Sequence, residues 1–178
     1  MIRTRTTGRK VALGLSLCAL AGCAQTPVAQ APAASPPVDL QALSNEVAKV
    51  LDDWHDAAAK ADEARYFGHL SDDSIFLGTD ATERWDKKAF LAYAHPHFAK
   101  GKAWKFRAAR RAIVVAQSGE YAWFDEDLET ERLGPARGSG VVAKRPEGLR
   151  ILQYNLSIPI PNERFDAVKK VIAGEASP

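Results

Sequence analysis

Cysteine is scarce in this chain, and its scarcity excludes several kinds of chemistry. The 178 residues include two cysteines, Cys18 and Cys23, and none follows Cys23. The segment from Ala24 onward therefore cannot form an internal disulfide, use a cysteine nucleophile or bind a metal ion through thiolates. Its stability must come from an apolar core rather than from covalent cross-links.

The chain also lacks an apolar run long enough to cross a bilayer as a helix. Its N-terminal run, residues 11–20, is about half of the roughly 17–25 residues that a spanning helix needs. Four basic residues precede this run, namely Arg3, Arg5, Arg9 and Lys10. A basic start, a short apolar run and small residues after it are typical of a cleaved export signal.

The chain has no excess of positive charge when the residues of that signal are left out of the count. The full chain has 24 Lys and Arg against 22 Asp and Glu, but residues 1–22 hold four basic residues and no acidic one. Residues 23–178 therefore have 20 Lys and Arg against 22 Asp and Glu, which gives a net charge near −2. Net charge therefore gives no support to a nucleic-acid partner, and we expect none.

The four residues Leu20-Ala21-Gly22-Cys23 end the export signal. They resemble the lipobox of bacterial lipoproteins, in which the cysteine is acylated and the chain is cut just before it. The resemblance implies a lipid anchor at Cys23 and a place in the bacterial cell envelope, and Ala24 favours the outer membrane, facing the periplasm. The alternative is an ordinary secretory signal with a chance cysteine at its edge.

Three parts follow from this reading of the N-terminus. Residues 1–22 are the signal, residues 23–38 an Ala- and Pro-rich tether beginning at the lipid, and residues 39–174 one domain. The tether is uncharged and has no apolar period, so we expect an extended, partly polyproline II segment. The domain is long enough for an apolar core.

An aspartate stands before each of three segments in which apolar residues recur at helical spacing. Asp39, Asp62 and Asp86 can each accept hydrogen bonds from the first free N–H groups of a helix. The first segment is the longest, and its apolar stripe consists of Leu40, Leu43, Val47, Val50, Leu51 and Trp54. We therefore predict three helices, the third ending near His95 because Pro96 disfavours a helical residue before it.

Beyond these helices the apolar residues alternate as in β-strands. The predicted strands cover residues 74–77, 104–116, 121–130, 137–144 and 149–158. A turn is expected at residues 71–73 and a short closing helix at residues 165–172. Helices followed by a run of antiparallel strands indicate an α+β fold.

Several short segments between residues 42 and 160 carry a family pattern. They are the strand and turn at 73–80, the tripeptide Glu83-Arg84-Trp85, residues 122–126, the tetrapeptide Arg137-Gly138-Ser139-Gly140 and residues 153–159. Together they resemble the SnoaL-like branch of the nuclear transport factor 2-like superfamily. The resemblance implies a cone, in which a curved antiparallel sheet wraps around the N-terminal helices and leaves a pocket at its open end.

The resemblance implies a frequent partner but no single activity. Members often form homodimers through the outer face of the sheet. The superfamily includes isomerases, cyclases, dehydratases and many domains without a known reaction. We therefore expect a pocket for a small apolar or amphipathic ligand, or a protein partner, and no cofactor or metal ion.

Glu126 is the position on which the function depends. Strand alternation places it beside Ala122, Phe124 and Leu128 on the apolar face, where a carboxylate must be paired or become harder to ionise. One reading is a structural ion pair with Arg137 on the next strand, or with Arg107 or Arg110 on the previous one. The other is a pocket carboxylate that binds a ligand or moves a proton.

Tyr154 is the second weak catalytic candidate. Isomerases of the superfamily pair a carboxylate base with a phenol, and Glu126 with Tyr154 could act in that way on a carbonyl or polycyclic substrate. Neither position matches the isomerase motif residue by residue. The candidate ligand-binding residues are Trp85, Phe124, Glu126, Arg137 and Tyr154.

Two arrangements of the cone would separate these functions. An enzyme should bring Glu126 and a second polar group to one enclosed cavity, whereas a binding or interaction domain can have its cavity filled by Trp54, Phe76, Trp104 and Phe124. The histidines give little guidance, because His95 and His97 lack a placed third ligand and His55 and His69 are isolated in the sequence.

Overall fold

A computed structural model describes residues 38–175. The predictions for the signal, for Cys23 and for most of the tether lie outside these residues. In chain order the elements are α1 (Leu40–Ala59), α2 (Glu63–Gly68), β1 (Leu70–Leu77), β2 (Arg84–Asp86), α3 (Lys87–Ala99), β3 (Arg107–Val115), β4 (Tyr121–Glu129), β5 (Ala136–Arg145), β6 (Gly148–Ser157) and α4 (Phe165–Ile172). None of the described helices has the length and apolar character needed to span a membrane.

The three predicted N-caps are confirmed. The Asp39 carboxylate accepts a hydrogen bond from the Ala42 N–H at 2.9 Å and begins α1. Asp62 caps α2 and Asp86 caps α3 through the same backbone position, three residues later. Each cap satisfies an N–H that the helix itself leaves free.

The six strands form one sheet in the order β2-β1-β6-β5-β4-β3. The α+β cone is confirmed, but the sheet is not wholly antiparallel. Strands β3 to β6 make the predicted antiparallel series, whereas β1 lies parallel to β6, with Phe76 opposite Tyr154. A parallel neighbour is possible because α3 and four strands intervene along the chain between β1 and β6.

Two local predictions were wrong. Residues 71–73 belong to β1 and do not form a turn; the pairing of β1 with β6 shifts its register between Leu70 and Ile75. Helix α3 continues through Pro96 to Ala99. It does so because Phe98 lies one turn beyond Ala94 on the buried side, and this burial outweighs the hydrogen bond that proline cannot donate.

The end of α3 brings the next segment back across the open end of the cone. Gly101 has a φ of 66°, a left-handed conformation that favours glycine. The N–H groups of Gly101 and Lys102 donate to the carbonyl oxygens of Phe98 and His97. The chain therefore turns sharply and places residues 102–106 beside α3.

The core lies between α1 and the inner face of the sheet. Trp54 is 2% exposed, and its ring stacks on Tyr66 and meets Tyr154 edge-on. Phe76 and Phe124 are buried as well, and Trp104 packs against this cluster at its edge. Of the four aromatic residues expected to fill the interior, Trp54 and Phe124 fill the closed part of the cone, whereas Phe76 and Trp104 line a cavity at its wide end.

Candidate functional site

The inner face of β4 carries a buried polar cluster centred on Glu126. Its side chain is fully buried, and its carboxylate accepts three hydrogen bonds. His55 Nε2 lies 2.6 Å from Oε1, the Tyr154 hydroxyl donates to Oε1 at 3.0 Å, and Arg111 Nε donates to Oε2 at 2.7 Å. Since an ionised carboxylate only accepts, Nε2 of His55 carries the proton in this contact.

Neighbouring residues make room for the cluster and continue it to the surface. Gly138 lies opposite Glu126 in the β4–β5 pair, and a Cβ there would collide with the Tyr154 hydroxyl and the Glu126 side chain. Arg111 also donates from Nη1 to Asp52 at 2.7 Å. Asp52 is exposed, so one end of the guanidinium reaches solvent while the other pairs with a fully buried carboxylate.

The electrostatics of the cluster favour an ionised Glu126. Burial alone raises the pKa of a carboxyl group, but the hydrogen bonds and charges of His55 and Arg111 outweigh it, and the pKa of Glu126 is lowered. Burial, followed by the charge of Glu126, raises the pKa of Tyr154 well above its ordinary value. The cluster is therefore a carboxylate held by three donors, and not a carboxylic acid held ready to donate a proton.

Glu126 does form a cross-strand ion pair with an arginine, but the arginine is not one of the three that the sequence suggested. Arg137 lies on the outer face of β5 and is 3.7 Å from Asp127, and Arg107 and Arg110 pair with other outward-facing acids. The partner is Arg111, which lies directly opposite Glu126 in the β3–β4 pair. A register shift between Ala108 and Arg110 reverses the alternation of β3 and turns Arg111 inward.

His55 is the cluster member that sequence reasoning missed. It is isolated from other histidines in the sequence, yet it is 6% exposed and its Nε2 lies 2.6 Å from the carboxylate. A signal was present, because Val47, Leu51 and His55 are spaced by four and share the inward stripe of α1.

A separate cavity of about 550 Å³ opens at the wide end of the cone. Aromatic side chains from β1, β2, α3 and the segment after α3 form most of its wall, namely Phe76, Trp85, Phe90, Tyr93, Trp104 and Phe106. Trp85 and Tyr93 stack with their ring centroids 4.5 Å apart, and Tyr93 is 46% exposed at the mouth. Flat apolar walls of this kind suit a ring or an acyl chain.

The mouth of this cavity is charged. Lys102, Lys105 and Arg132 line it and are exposed, and Glu83 and Glu131 line it as well. Glu83 accepts a hydrogen bond from the Asp80 N–H and so closes its own turn. Among the described residues the three cations make no salt bridge, and they leave the mouth able to accept an anionic group.

Only one of the five predicted ligand-binding residues lines the aromatic cavity. Trp85 does, whereas Phe124, Glu126 and Tyr154 lie deeper in the closed part of the cone. Arg137 lines a different depression of about 500 Å³, on the outer face beside Pro135 and Pro159. The cone therefore separates its polar cluster from its cavity.

Several cavity residues were not predicted, although the sequence held a signal for some of them. Phe90, Tyr93 and His97 are spaced so that they share a face of α3, and all three line the cavity. Ending the predicted helix near His95 removed His97 from that face. The contributions of residues 130–133 depend on the path of the β4–β5 connection, for which the sequence has no regular pattern.

Comparison with known structures supports the fold alone, because all identities are low. An NTF2-like protein of unknown function from Pseudomonas putida KT2440 is 14% identical, with a TM-score of 0.57, 69% of this chain covered and 91% of that one. A cystatin-like protein of unknown function from Nostoc punctiforme PCC 73102 is 12% identical, with a TM-score of 0.55 and coverages of 70% and 96%. A proposed ketosteroid isomerase from Parabacteroides distasonis ATCC 8503 is 16% identical, with a TM-score of 0.53 and coverages of 66% and 89%.

Family comparison is more specific. No curated protein is similar enough in sequence to be matched. The SnoaL-like domain family matches residues 47–161, a span that holds the polar cluster, the aromatic cavity and all six strands. The chain therefore belongs to the SnoaL-like domain family, within the NTF2-like fold.

Proposed function

We propose that this protein is a lipid-anchored binding domain of the bacterial cell envelope, which holds a small amphipathic molecule in its aromatic cavity. The ligand has an apolar ring or chain and an anionic group. The observation that carries the proposal is the cavity itself, because its aromatic wall and its unpaired cations lie at one opening. The resemblance of residues 20–23 to a lipobox supports the anchor, and Ala24 supports an outer-membrane location facing the periplasm.

The physical chemistry of the cavity supports an amphipathic rather than a purely polar ligand. Burying an apolar side chain or an equivalent ring stabilises a complex by about 1.5–3 kcal/mol. Trp85 and Trp104 are half-buried, lie nearly parallel to the buried ring of Phe90, and offer surfaces for such a ring. An anionic group at the mouth would be held by Lys102 or Lys105 without leaving water completely.

The alternative is an isomerase or cyclase that uses Glu126 and Tyr154 on a carbonyl or polycyclic substrate. It has less support, because the Glu126 carboxylate already accepts three hydrogen bonds and does not line the cavity. A base must come within hydrogen-bond reach of the proton that it removes. In the cluster the Tyr154 hydroxyl donates its hydrogen bond to Glu126, so the two groups are partners of each other rather than of a substrate.

A second copy of the chain is the protein partner that we propose for the outer face of the sheet. Val114 on β3 and Trp123 on β4 lie opposite each other and are about half exposed, and Tyr121 lies beside them. Together they form an apolar strip that a second copy could cover.

Trp85→Ala should weaken binding of the fluorescent probe 1-anilinonaphthalene-8-sulfonate, an anionic aromatic amphiphile, by about tenfold. The reason is the loss of a stacking wall, which costs roughly 1.4 kcal/mol or more. Fluorescence titration of the purified protein measures the change. Trp123→Ala is the matched control, because Trp123 is an exposed tryptophan on the outer face, and it should leave the affinity unchanged.

Equal losses in both tryptophan variants would contradict the cavity as the binding site.

The charge at the mouth can be tested with the same titration. Lys105→Gln should weaken the sulfonate probe but leave the uncharged N-phenyl-1-naphthylamine unaffected, since only the former has an anionic group for the lysine to hold.

Cys23→Ala should move the protein from washed membranes to the soluble fraction. Stable anchoring needs at least two acyl chains, and the variant would have none. Fractionation of cells, with a wash at high salt and detection by immunoblot, measures the distribution. Cys18→Ala is the matched control and should remain with the membranes; a Cys23→Ala protein that stays there after the wash would refute the anchor.

A further inference from the structure

Four of the aromatic rings that line the cavity lie nearly parallel to one another. The planes of Phe76, Trp85 and Trp104 are inclined to the plane of Phe90 by 17°, 13° and 22°. Tyr93 continues this stack, since its ring is inclined to Trp85 by 23°. The rings come from β1, β2, α3 and the segment after α3, so distant parts of the chain give the cavity wall one common orientation.

Packing of the core does not by itself require this alignment. Deeper in the domain, Phe90, Phe98 and Trp104 meet the ring of Tyr66 at 61°, 47° and 77°, in the tilted and edge-on arrangements that are common between aromatic side chains. Trp85 and Trp104 are half-buried, so part of each indole is accessible from the cavity. A flat ring that enters parallel to Phe90 can stack on either indole, whereas a puckered ring or an acyl chain cannot lie flat on them.

The position of two lysines indicates where the anionic group of such a ligand lies. Lys102 and Lys105 flank Trp104 in the chain, and both line the mouth of the cavity and are exposed. One short segment thus supplies an aromatic surface and the ammonium groups beside it. A ring stacked on Trp104 therefore brings an anionic substituent to these lysines when that substituent is attached close to the ring.

We propose that the ligand of the cavity is a small planar aromatic acid, with its anionic group attached at or next to the ring. This inference rests on the proposed function, because it specifies the ligand of the same cavity. It ranks flat rings above fatty acids and saturated rings. Burial of apolar area alone would favour the saturated compounds, which carry more hydrogen and expose at least as much apolar surface to water. Stacking on Trp85 and Trp104 reverses that order.

The test compares carboxylic acids that have the same number of carbon atoms and differ in shape. Isothermal titration calorimetry of the purified protein with 2-naphthoate, decahydro-2-naphthoate and undecanoate measures the three affinities. We expect 2-naphthoate to bind about tenfold more tightly than either saturated acid. Equal or tighter binding of a saturated acid would overturn this inference and leave the cavity as a site for amphipathic molecules. Failure of all three acids to bind would overturn the proposed function as well.

A longer acid tests the position of the anionic group. 5-(2-Naphthyl)pentanoate has extra methylene groups, yet it should bind no more tightly than 2-naphthoate, because its carboxylate lies farther from the lysines when its ring stays on Trp104. Tighter binding of the longer acid would overturn the placement of the anionic group next to the ring.

Variants of the cavity wall locate the stacking surface. Trp85→Leu and Trp104→Leu each keep an apolar side chain but remove a flat face, and each should lower the preference for 2-naphthoate over decahydro-2-naphthoate about threefold. Phe106→Leu is the matched control within the cavity, because the aromatic neighbour of Phe106 among the described residues is His55, which it meets edge-on. It should weaken both acids alike. An unchanged preference in Trp85→Leu and Trp104→Leu would overturn the inference; if Trp104→Leu does not fold, Trp85→Leu and the wild-type ranking decide.

Discussion

Glu126→Gln is expected to lower the free energy of unfolding by about 3 kcal/mol. The substitution keeps the size of the side chain but removes the charge that Arg111 faces, and part of that guanidinium is buried with Nη2 unpaired among the described residues. The amide also replaces one of the two accepting oxygens with an NH₂ group, which can only donate, although donors face both positions. Denaturant titration of the purified protein measures the loss, and it needs no knowledge of the ligand.

Two controls distinguish this cluster from ordinary surface pairs. Glu129→Gln removes a carboxylate of the same strand whose side chain is 57% exposed, and it should cost less than about 1 kcal/mol. Arg111→Met combined with Glu126→Gln should cost less than the sum of the single changes, because the two groups interact directly. A Glu126→Gln protein as stable as the wild type would contradict the structural role and favour the enzyme alternative.

The same cluster predicts a pH dependence of stability. Because the pKa of Glu126 is lowered in the folded protein, its carboxylate stabilises the fold above the ordinary glutamate pKa of about 4.3. That stabilisation is lost as the pH falls through the lower value of the folded state. The difference in stability between wild type and Glu126→Gln should therefore narrow as the solution is acidified.

Trp54→Ala is expected to cost about 3–5 kcal/mol, a large part of the roughly 5–15 kcal/mol that holds a domain together. Trp54 is almost fully buried, stacks on Tyr66 with centroids 4.9 Å apart and supports Tyr154 at 4.6 Å. Its removal would leave a cavity next to the Glu126 cluster. Thermal and denaturant unfolding measure the loss, and we expect much of the variant to be insoluble.

Two further tryptophan variants make this result interpretable. Trp54→Phe should remain folded, because it keeps an aromatic ring and removes an indole N–H that has no partner among the described residues. Trp123→Ala changes an exposed residue and should shift the stability of the monomer by about 0.5 kcal/mol or less. A well-folded Trp54→Ala protein would show that the closed part of the cone does not depend on this side chain.

The elements that could be predicted are those whose cause is local. Asp39, Asp62 and Asp86 cap helices through their own next turn, and the alternation of β4 alone placed Glu126 on the inner face. The closing helix at residues 165–172 was predicted with its observed bounds. In each case neighbours within a few positions determine the structure, and the sequence contains all of them.

The features that escaped prediction depend on contacts between distant parts of the chain. The inward turn of Arg111 follows from the shift in register against β4, and α3 passes Pro96 because Phe98 finds a place in the core. The separation of the cavity from the Glu126 cluster is of the same kind. It depends on how deep each strand position lies in the cone, which alternation along one strand does not specify.

The parallel pair of β1 and β6 has a consequence for the order of folding. Strand β1 lies between β2 and β6, so one of its two edges stays open until the last strand of the sheet arrives. Leu70 can pair with Ile151, and Phe76 with Tyr154, only after almost the whole domain has been synthesised. Closing so long a loop is slow compared with forming a local hairpin. A nascent chain that ends before β6 therefore lacks both the neighbour of β1 and the phenol that meets Glu126, and the native sheet cannot be completed until β6 has been made.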